Sequence, residues 1–487
     1  MIRFVIGRIL LTEAALLLVP LVTALLYGES LNPFLCTIFL LVLASWPLCA
    51  RKPGKTALYA RDGFAVVALA WIAMSLFGAI PFVLSGDIPN YVDALFETVS
   101  GFTTTGATVL TVVEDMSRSC LMWRSFTHWI GGMGVLVFVM AILPMTDGHG
   151  MHLMRAETPG PTSGKLASRM GDSAKILYGI YIALTLALFV LLAAGGMPIF
   201  DAWVHTFSTA GTGGFSSLTP SVGGYNSLYF EVVLGIFMLL FGTNFSFFYF
   251  LLMRRFRDAL KCEEVWVYYG IVAAAVAGIT VDILPLYGSV TTSLRHAFFQ
   301  TSTIITTTGY ATQDFGLWPT FSQIVLVTLM FVGSCAGSTA GGLKIGRLVI
   351  LLKAILADMK KMLHPNAVTT VRYGGRALTE KQIRGTYQYI SMYVCVFVIS
   401  CLLLSLEEID LVTTVTAVIT CHNNVGPGLG LVGPSGNYSI FSAPAKLLLA
   451  LNMLLGRLEI FPVLLLFSPS IWKRRGHHSR GAGDRFE

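Results

Sequence analysis

The sequence has 487 residues, of which 55% are hydrophobic and 12% are charged, and its net charge is +7. Its mean hydropathy is +0.72, and so few charged side chains could not cover the surface of soluble domains of this total length. The composition therefore excludes a soluble fold, a disordered chain and a disulfide-stapled secreted module, and it indicates a polytopic membrane protein.

The basic residues form five short groups between or after the apolar runs, and the positive-inside rule makes all five groups cytoplasmic. The groups lie at 51–61, 155–175, 254–261, 353–384 and 473–485. The excess positive charge therefore reports the orientation of the chain in the membrane, and we expect no nucleic-acid partner.

Ten apolar runs are long enough to be spans, since crossing a bilayer as a helix takes about 20 residues. In chain order the predicted spans are 4–27, 33–50, 64–84, 123–143, 176–194, 228–253, 265–286, 321–352, 387–406 and 445–467. After the first two spans, a pattern recurs four times: a span, an acidic turn, a short amphipathic stretch, a Thr/Gly-rich loop and another span.

The four amphipathic stretches are too short to cross a bilayer, so each is predicted to enter the membrane and return. They lie at 92–100, 203–208, 294–303 and 412–420. Irregular backbone is tolerated at membrane depth only where it is buried in protein or lines water. Four short helices followed by four irregular loops therefore predict a central aqueous pathway, and the acidic residues in the turns are expected to raise the local cation concentration.

Each of the four loops has a glycine at the matching place. The loops read GFTTTGATVL from Gly101, STAGTGGFSS from Ser208, TIITTTGYAT from Thr303 and TCHNNVGPGL from Thr420. Fixed offsets between these glycines and the preceding short stretches indicate one structural unit repeated four times in a single chain.

A dehydrated cation needs a cage of oxygen atoms, which potassium channels build from the backbone carbonyls of four converging loops. Glycine permits the unusual backbone dihedrals that such a cage requires. We therefore predict a K⁺ filter formed by three residues of each loop. They are Thr104, Thr105, Gly106, Thr212, Gly213, Gly214, Thr307, Thr308, Gly309, Asn424, Val425 and Gly426.

The sequence resembles the TrkH/KtrB/HKT superfamily of potassium uptake proteins, and most closely its TrkH branch. The most specific motifs are TTTGAT in the first loop, NNVGPGLG from Asn423, GSCAGSTAGGLKIGR from Gly333 and GRLEIFP from Gly456. The resemblance implies that the loops form the ion filter, that the protein is a homodimer, and that a cytoplasmic nucleotide-binding ring (TrkA-like) regulates it. The second loop departs modestly from the pattern of the family.

Five glycines interrupt the eighth predicted span, with serines, a threonine and Lys344 among them. Gly333, Gly337 and Gly341 are four residues apart, which is also the spacing of a small-residue contact between helices. The lysine and the hydroxyls favour the alternative, an unwound segment that lines the pathway below the filter, and the resemblance implies that such a segment acts as a gate. The predicted gate residues are Gly337, Ser338, Thr339, Gly341, Gly342, Lys344 and Arg457.

Arg457 lies within the last predicted span, where an arginine costs about 2.5–3.5 kcal/mol on insertion scales and should face the interior of the protein. Two interpretations remain open from the sequence. Arg457 either forms a structural ion pair, with Glu459 or another acidic group, or places its charge beside the cytoplasmic mouth of the pore.

The predicted fold is an all-α polytopic membrane protein, in which two leading transmembrane helices precede four span–pore-helix–span repeats around a central ion pore. The predicted function is K⁺ uptake across the inner (cytoplasmic) membrane without enzymatic activity, and the alternative is an ion-coupled secondary transporter of a small solute. The predicted units are the leading helices 1–60, repeats 61–145, 174–257, 258–357 and 385–470, connectors 146–173 and 358–384, and a tail 471–487.

Overall fold

The computed structural model describes residues 2–50, 60–134, 170–366 and 369–469, which are mostly helical. The α-helices are Ile2–Leu16, Leu18–Tyr27, Asn32–Cys49, Ala60–Gly78, Ile80–Ser85, Tyr91–Phe102, Arg118–Gly132, Met170–Ala194, Ile199–Gly211, Leu228–Phe241, Phe245–Leu252, Phe256–Leu260, Glu263–Tyr287, Val290–Ile305, Thr320–Val332, Ile345–Leu363, Glu380–Leu404, Leu411–Asn423, Ala443–Arg457 and Phe461–Leu466. Short 3₁₀ helices lie at Ser221–Tyr225, Phe315–Leu317, Ser405–Glu407, Gly430–Val432 and Tyr438–Ile440.

Six helical stretches of the described residues are long and apolar enough to cross a membrane. They are Ile2–Tyr27, Asn32–Cys49, Asp62–Ser85, Lys175–Ala194, Glu263–Tyr287 and Glu380–Glu407. Large apolar side chains on these helices are exposed, such as Leu26 and Trp46, as expected of surfaces that face lipid. The predicted all-α, multi-pass membrane architecture is therefore confirmed.

Two predicted spans are broken where the sequence indicated continuous helices. The span predicted at 228–253 consists of Leu228–Phe241 and Phe245–Leu252, which meet at an angle of 91°. The span predicted at 445–467 breaks after Arg457, where Glu459 and Ile460 both adopt a left-handed backbone with φ of 59° and 61°. The sequence analysis predicted the two spans but neither break, because the breaks occur inside apolar runs that hydropathy alone does not divide.

The eighth predicted span is also interrupted, here at the glycine-rich residues. Helix Thr320–Val332 ends before Gly333, and helix Ile345–Leu363 begins after Lys344. The interpretation that Gly333, Gly337 and Gly341 form a helix contact is therefore wrong, because these residues are not helical.

Some predictions fall wholly or partly outside the described residues. These are the end of the span at 123–143, residues 146–169 of the first connector, and the tail at 471–487. The second connector, 358–384, contains a two-stranded antiparallel hairpin that the sequence analysis missed. Its strands, Arg372–Tyr373 and Arg376–Ala377, flank Gly374 and Gly375, whose φ angles of 56° and 78° suit a tight two-residue turn.

Partly buried ion pairs hold two of the short helices against neighbouring elements. Lys446 lies 2.7 Å from Asp93, which links helix Ala443–Arg457 to helix Tyr91–Phe102. Arg295 in helix Val290–Ile305 binds both carboxylate oxygens of Glu231 at 2.6 Å. Removing one partner of such a pair leaves a partly buried charge uncompensated, so these contacts attach the first halves of the two short helices to their neighbours.

Candidate functional site

Four short helices, which we call the pore helices, precede the four predicted filter loops. They are Tyr91–Phe102, Ile199–Gly211, Val290–Ile305 and Leu411–Asn423. The longest has 16 residues, so at 1.5 Å per residue each is shorter than the ~30 Å hydrocarbon core of a bilayer. Asn90 and Asp410 cap the first and fourth pore helices by accepting backbone hydrogen bonds from Val92 and Thr413.

The backbone after each pore helix has the same conformation in all four loops. The residue two positions before the loop glycine is left-handed, with φ between 54° and 57°, and the glycine itself has φ between 79° and 96°. These pairs are Thr104 and Gly106, Thr212 and Gly214, Thr307 and Gly309, and Asn424 and Gly426. A left-handed backbone costs a residue with a Cβ roughly 1–2 kcal/mol, so its presence at three threonines marks a conformation imposed by the surrounding structure.

One backbone hydrogen bond also recurs in every loop. The N–H of the residue before the glycine donates to the carbonyl five residues earlier, at the end of the pore helix. The four bonds join Thr105 to Ser100, Gly213 to Ser208, Thr308 to Thr303 and Val425 to Thr420, at 2.8 to 2.9 Å. The four loops are therefore equivalent in backbone structure, although their side chains differ.

The four glycines form a closed ring. A Cβ added to Gly106 would collide with the carbonyl oxygen of Gly213, and one added to Gly214 would collide with that of Thr308. The same holds for Gly309 against the carbonyl oxygen of Val425, and Gly426 lies against the carbonyl oxygen of Thr105. Each loop thus contacts the next loop in chain order, and the fourth contacts the first.

Several side chains around the ring form hydrogen bonds with one another. Asn424 donates from Nδ2 to the Thr105 hydroxyl at 2.9 Å and to the carbonyl of Met453 at 2.9 Å. The Thr105 and Thr308 hydroxyls lie 2.7 and 2.8 Å from those of Thr103 and Thr306. These bonds hold the loops in place, and the backbone carbonyls are the oxygen atoms that all four loops have in common.

A cavity of about 490 Å³ opens on one side of the ring. All four loop glycines line it, together with residues that follow them in each loop. Its lining includes Asp314, a carboxylate that the sequence analysis did not single out, and Arg124. Arg124 forms a buried ion pair with Glu97 at 2.6 Å and lies over the ring of Phe215.

The acidic residues of the predicted turns hold neighbouring helices in place. Asp87 accepts hydrogen bonds from the backbone N–H and the hydroxyl of Ser117, and Asp282 accepts the same pair from Ser322. Glu407 likewise accepts hydrogen bonds from the backbone N–H and the hydroxyl of Ser442. None of these carboxylates lines the cavity, so any effect that they have on the local cation concentration acts through their charge at a distance.

The interruption of the eighth predicted span forms a loop with a closed neck, which we call the gate segment (residues 333–344). The N–H of Leu343 donates to the carbonyl of Phe331 at 3.2 Å, and that of Ile345 donates to Ser334 at 3.1 Å. The neck brings the ends of the two flanking helices together, and residues 335–340 form the tip.

The gate segment contacts the third and fourth loops on the side away from the cavity. The N–H of Gly341 donates to the hydroxyl of Thr307 at 2.7 Å, and that of Gly342 donates to the carbonyl of Asn423 at 3.1 Å. Both acceptors precede the loop glycines, whereas the cavity is lined by the glycines and by residues after them. Gate segment and cavity therefore lie on opposite sides of the ring.

The tip of the gate segment also satisfies backbone groups that the bend after Leu228–Phe241 leaves without helical partners. The N–H of Thr339 donates to the carbonyl of Phe241 at 3.4 Å, and the N–H of Phe245 donates to the carbonyl of Gly337 at 3.1 Å. The two interrupted spans are thus bound to each other through their irregular backbones.

The guanidinium of Arg457 joins the gate segment to the end of helix Arg118–Gly132. It donates to the carbonyl of Thr339 at 2.7 Å and to the carbonyls of Gly131 and Gly132 at 2.5 and 2.8 Å. Lys344 donates to the adjacent carbonyl of Ala340, so the two positive groups lie close together.

Glu459, the acidic partner considered for Arg457, has its carboxylate 2.6 Å from Arg347. The structure places all seven predicted gate residues in one region, the gate segment and the Arg457 side chain bound to it. Sequence reasoning missed Glu264 in this region. Its carboxylate accepts hydrogen bonds from Ala336 in the gate segment and from Gly346 just after the segment.

Comparisons with known proteins identify close relatives over almost the whole chain. A sequence profile of the TrkH family, described as a cation transport protein, matches residues 30–263 and 286–474. The chain is 36% identical over 480 residues to the Trk system potassium uptake protein TrkH of Salmonella typhimurium, covering 96% of this chain and 98% of that protein.

Two further relatives agree with this result. The Trk system potassium uptake protein TrkH of Escherichia coli is 35% identical over 480 residues, with the same coverage. The crystal structure of the potassium transporter TrkH from Vibrio parahaemolyticus superposes with a TM-score of 0.86 at 33% identity, covering 97% of this chain and 99% of that one.

Proposed function

The chain belongs to the TrkH family of cation transport proteins, and from this premise we propose that it carries K⁺ into the cell through the ring of four loops. Its relatives are named as potassium uptake proteins, and its own helices make it a multi-pass membrane protein. The observation that carries the proposal is the closed contact of Gly106, Gly214, Gly309 and Gly426.

The proposed filter consists of the twelve loop residues predicted from the sequence. Their shared backbone conformation brings the carbonyl before each glycine against the neighbouring loop. The ring forms although the residue before the glycine differs among the loops. Carbonyl oxygens in such a ring replace the hydration shell of a monovalent cation. The cavity lined by Asp314 gives hydrated ions access to the ring.

The gate segment is proposed to close the pathway on the opposite side of the ring. It packs against Thr307 and Asn423 and binds Arg457 through the carbonyl of Thr339. A fixed positive charge in a narrow, poorly hydrated passage opposes a cation, by about 4 kcal/mol at ~4 Å and an effective dielectric constant near 20. Opening then requires the tip of the segment and the arginine to move apart.

The assembly implied by the family is also a proposal for this chain. We expect a homodimer in the cytoplasmic membrane, regulated by a cytoplasmic nucleotide-binding ring that contacts the basic cytoplasmic segments. Arg254 and Arg255 precede helix Phe256–Leu260 and Arg257 lies in it, and all three are exposed and available for such a contact.

Ion flux through the purified protein tests the proposal directly. In proteoliposomes containing the full chain, a K⁺ gradient should drive uptake of the K⁺ surrogate Rb⁺ with no other solute present. Excess Na⁺ should compete weakly and excess K⁺ strongly. Uptake that needs an added organic solute would instead support the alternative, an ion-coupled secondary transporter, and protein-free vesicles give the baseline.

Replacing Arg457 by alanine should increase K⁺ flux per folded molecule by at least roughly tenfold, because the substitution removes a repulsive charge whose full effect would be about a thousandfold. It should also lower the melting temperature, because the carbonyls of Thr339, Gly131 and Gly132 lose a buried donor. Flux in proteoliposomes and thermal unfolding of the same preparation measure the two effects.

Arg295→Ala is the matched control, since it removes a partly buried arginine whose bidentate partner, Glu231, lies away from the gate segment. This variant should lose stability without gaining flux. A lowered melting temperature with unchanged flux in Arg457→Ala would mean that the arginine is purely structural.

A further inference from the structure

Glu264, in the first turn of helix Glu263–Tyr287, binds both the tip of the gate segment and the helix that follows the segment. One carboxylate oxygen, Oε1, accepts the N–H of Ala336 at 2.7 Å and the N–H of Gly346 at 2.9 Å. Ala336 lies in the tip, and Gly346 lies in the first turn of the helix that follows the segment. The side chain of Glu264 is buried, with 5% of its surface exposed, so this oxygen replaces water for two backbone donors.

The cytoplasmic hairpin reaches the same carboxylate. The hydroxyl of Tyr373 lies beside the carboxylate of Glu264, on the same side of Gly346. A Cβ added to Gly346 would lie 2.6 Å from the Tyr373 hydroxyl and 2.9 Å from Glu264 Oε1. The three groups therefore share a space that only a glycine at position 346 leaves open.

The hairpin is also attached to Glu263, the residue before Glu264, so the position of Tyr373 is fixed from two directions. Lys353 donates to the carboxylate of Glu263 and to the carbonyl of Arg372, the latter at 3.0 Å. The N–H of Gly374 donates to the other Glu263 oxygen at 3.4 Å. A force on the hairpin is therefore transmitted to the start of helix Glu263–Tyr287, where Glu264 lies.

We propose that Glu264 is a positioning residue of the gate and that the hairpin, through Tyr373, connects the cytoplasmic connector to it. The proposal rests on the proposed gating role of residues 333–344. With Tyr373 in place, Glu264 keeps its orientation and holds Ala336 and Gly346 together, which keeps the tip against Arg457. When the hairpin withdraws, the carboxylate gains water as a competing donor, both amides loosen, and the segment is released.

Hydrogen–deuterium exchange of the gate segment tests the connection without relying on transport. In Tyr373→Phe, which removes only the hydroxyl, peptides covering Ala336 and Gly346 should exchange about tenfold faster than in the parent protein. Tyr387→Phe is the matched control, because its hydroxyl contacts Asp358 on the exposed cytoplasmic side at 3.4 Å. This control should leave exchange in the gate segment unchanged.

A double-mutant cycle shows whether Tyr373 acts through Glu264. Glu264→Ala should accelerate exchange more strongly than Tyr373→Phe and should raise basal Rb⁺ flux, and adding Tyr373→Phe to it should have no further effect. If Glu264→Ala does not fold, Glu264→Gln, which retains an acceptor oxygen, takes its place, and the effect of Tyr373→Phe should shrink in that background.

Independent, additive effects of the two substitutions on exchange would overturn the proposal, and so would unchanged exchange in Tyr373→Phe. Failure of the proposed transport function is recognised separately, since the parent protein would then show no Rb⁺ flux although the exchange cycle could still be measured. Faster exchange without any rise in flux, in a parent that transports, would overturn the gating part of the proposal.

Discussion

Gly309→Ser should reduce the preference for K⁺ over Na⁺ by at least roughly tenfold, while most of the protein still folds. A Cβ at this position collides with the carbonyl oxygen of Val425 and lies 2.8 Å from Cδ of Pro427, and φ is +85°. The ring must shift to accommodate the new atoms. A change of about 1.4 kcal/mol in the relative binding free energy of the two ions is enough for a tenfold effect, and left-handed strain alone is of that size.

The experiment compares Rb⁺ uptake in proteoliposomes at increasing Na⁺ and K⁺ concentrations. Gly86→Ser is a suitable control, because Gly86 has nearly the same φ, +86°, but nothing lies within 4 Å of an added Cβ. It carries the same backbone strain outside the ring and should keep the parent's selectivity. A folded Gly309→Ser protein with unchanged ion preference would show that the loops are not the filter.

Deleting residues 336–339 should raise basal K⁺ flux by roughly tenfold. The deletion removes most of the tip of the gate segment, together with its hydrogen bonds to Arg457 and Phe241. Each of these bonds stabilises the closed segment by about 1 kcal/mol. The neck formed by Phe331, Ser334 and Leu343 lies outside the deletion. The flanking helices can therefore stay in place while the shortened segment no longer closes the pathway. Flux is measured at equal protein density in the vesicles, without any cytoplasmic partner.

Ser338→Ala serves as a control, because it changes a side chain in the gate segment without shortening the segment. The Ser338 hydroxyl donates within the segment to the carbonyl of Cys335 at 2.7 Å, so its loss leaves the contacts of the tip to Arg457 and Phe241 intact. We expect parental flux from this variant. If the deletion variant is folded and its flux does not exceed that of the parent, the segment does not block the pathway.

The sequence predicts the helical architecture well, because a lipid-facing helix must be apolar along its whole length and hydropathy records that requirement. Hydropathy does not detect breaks in a helix when they occur inside an apolar run. At 333–344 the glycines and Lys344 indicate the break, but Ile460 is a β-branched residue at φ of +61°, and nothing in its identity signals a left-handed backbone. The boundaries proposed for the four repeats remain predictions.

For the candidate site, the positions of the four glycines are predictable, because glycine marks backbone conformations that other residues avoid. The left-handed Thr104, Thr212 and Thr307 are not, since threonine is normally excluded from that region. The hairpin at 372–377 did have a local signal: Gly374 and Gly375 stand between two short segments, a pair that favours a two-residue turn. The contact between Tyr373 and Glu264 joins residues more than a hundred positions apart and has no local signal at all.

The hydrogen bond from Gly341 to the hydroxyl of Thr307 joins the gate segment to a filter residue directly. If the ring is the filter and the segment is the gate, as proposed above, a displacement of the segment changes the partner of that hydroxyl, and the affinity of the ring for an ion then depends on whether the passage is open. Thermodynamic linkage makes this dependence mutual: an ion that binds one state more tightly shifts the population toward that state by the same factor. In the proposed mechanism the permeating ion is therefore also an effector of its own conductance, and the K⁺ concentration at the ring is a signal that needs no separate receptor site.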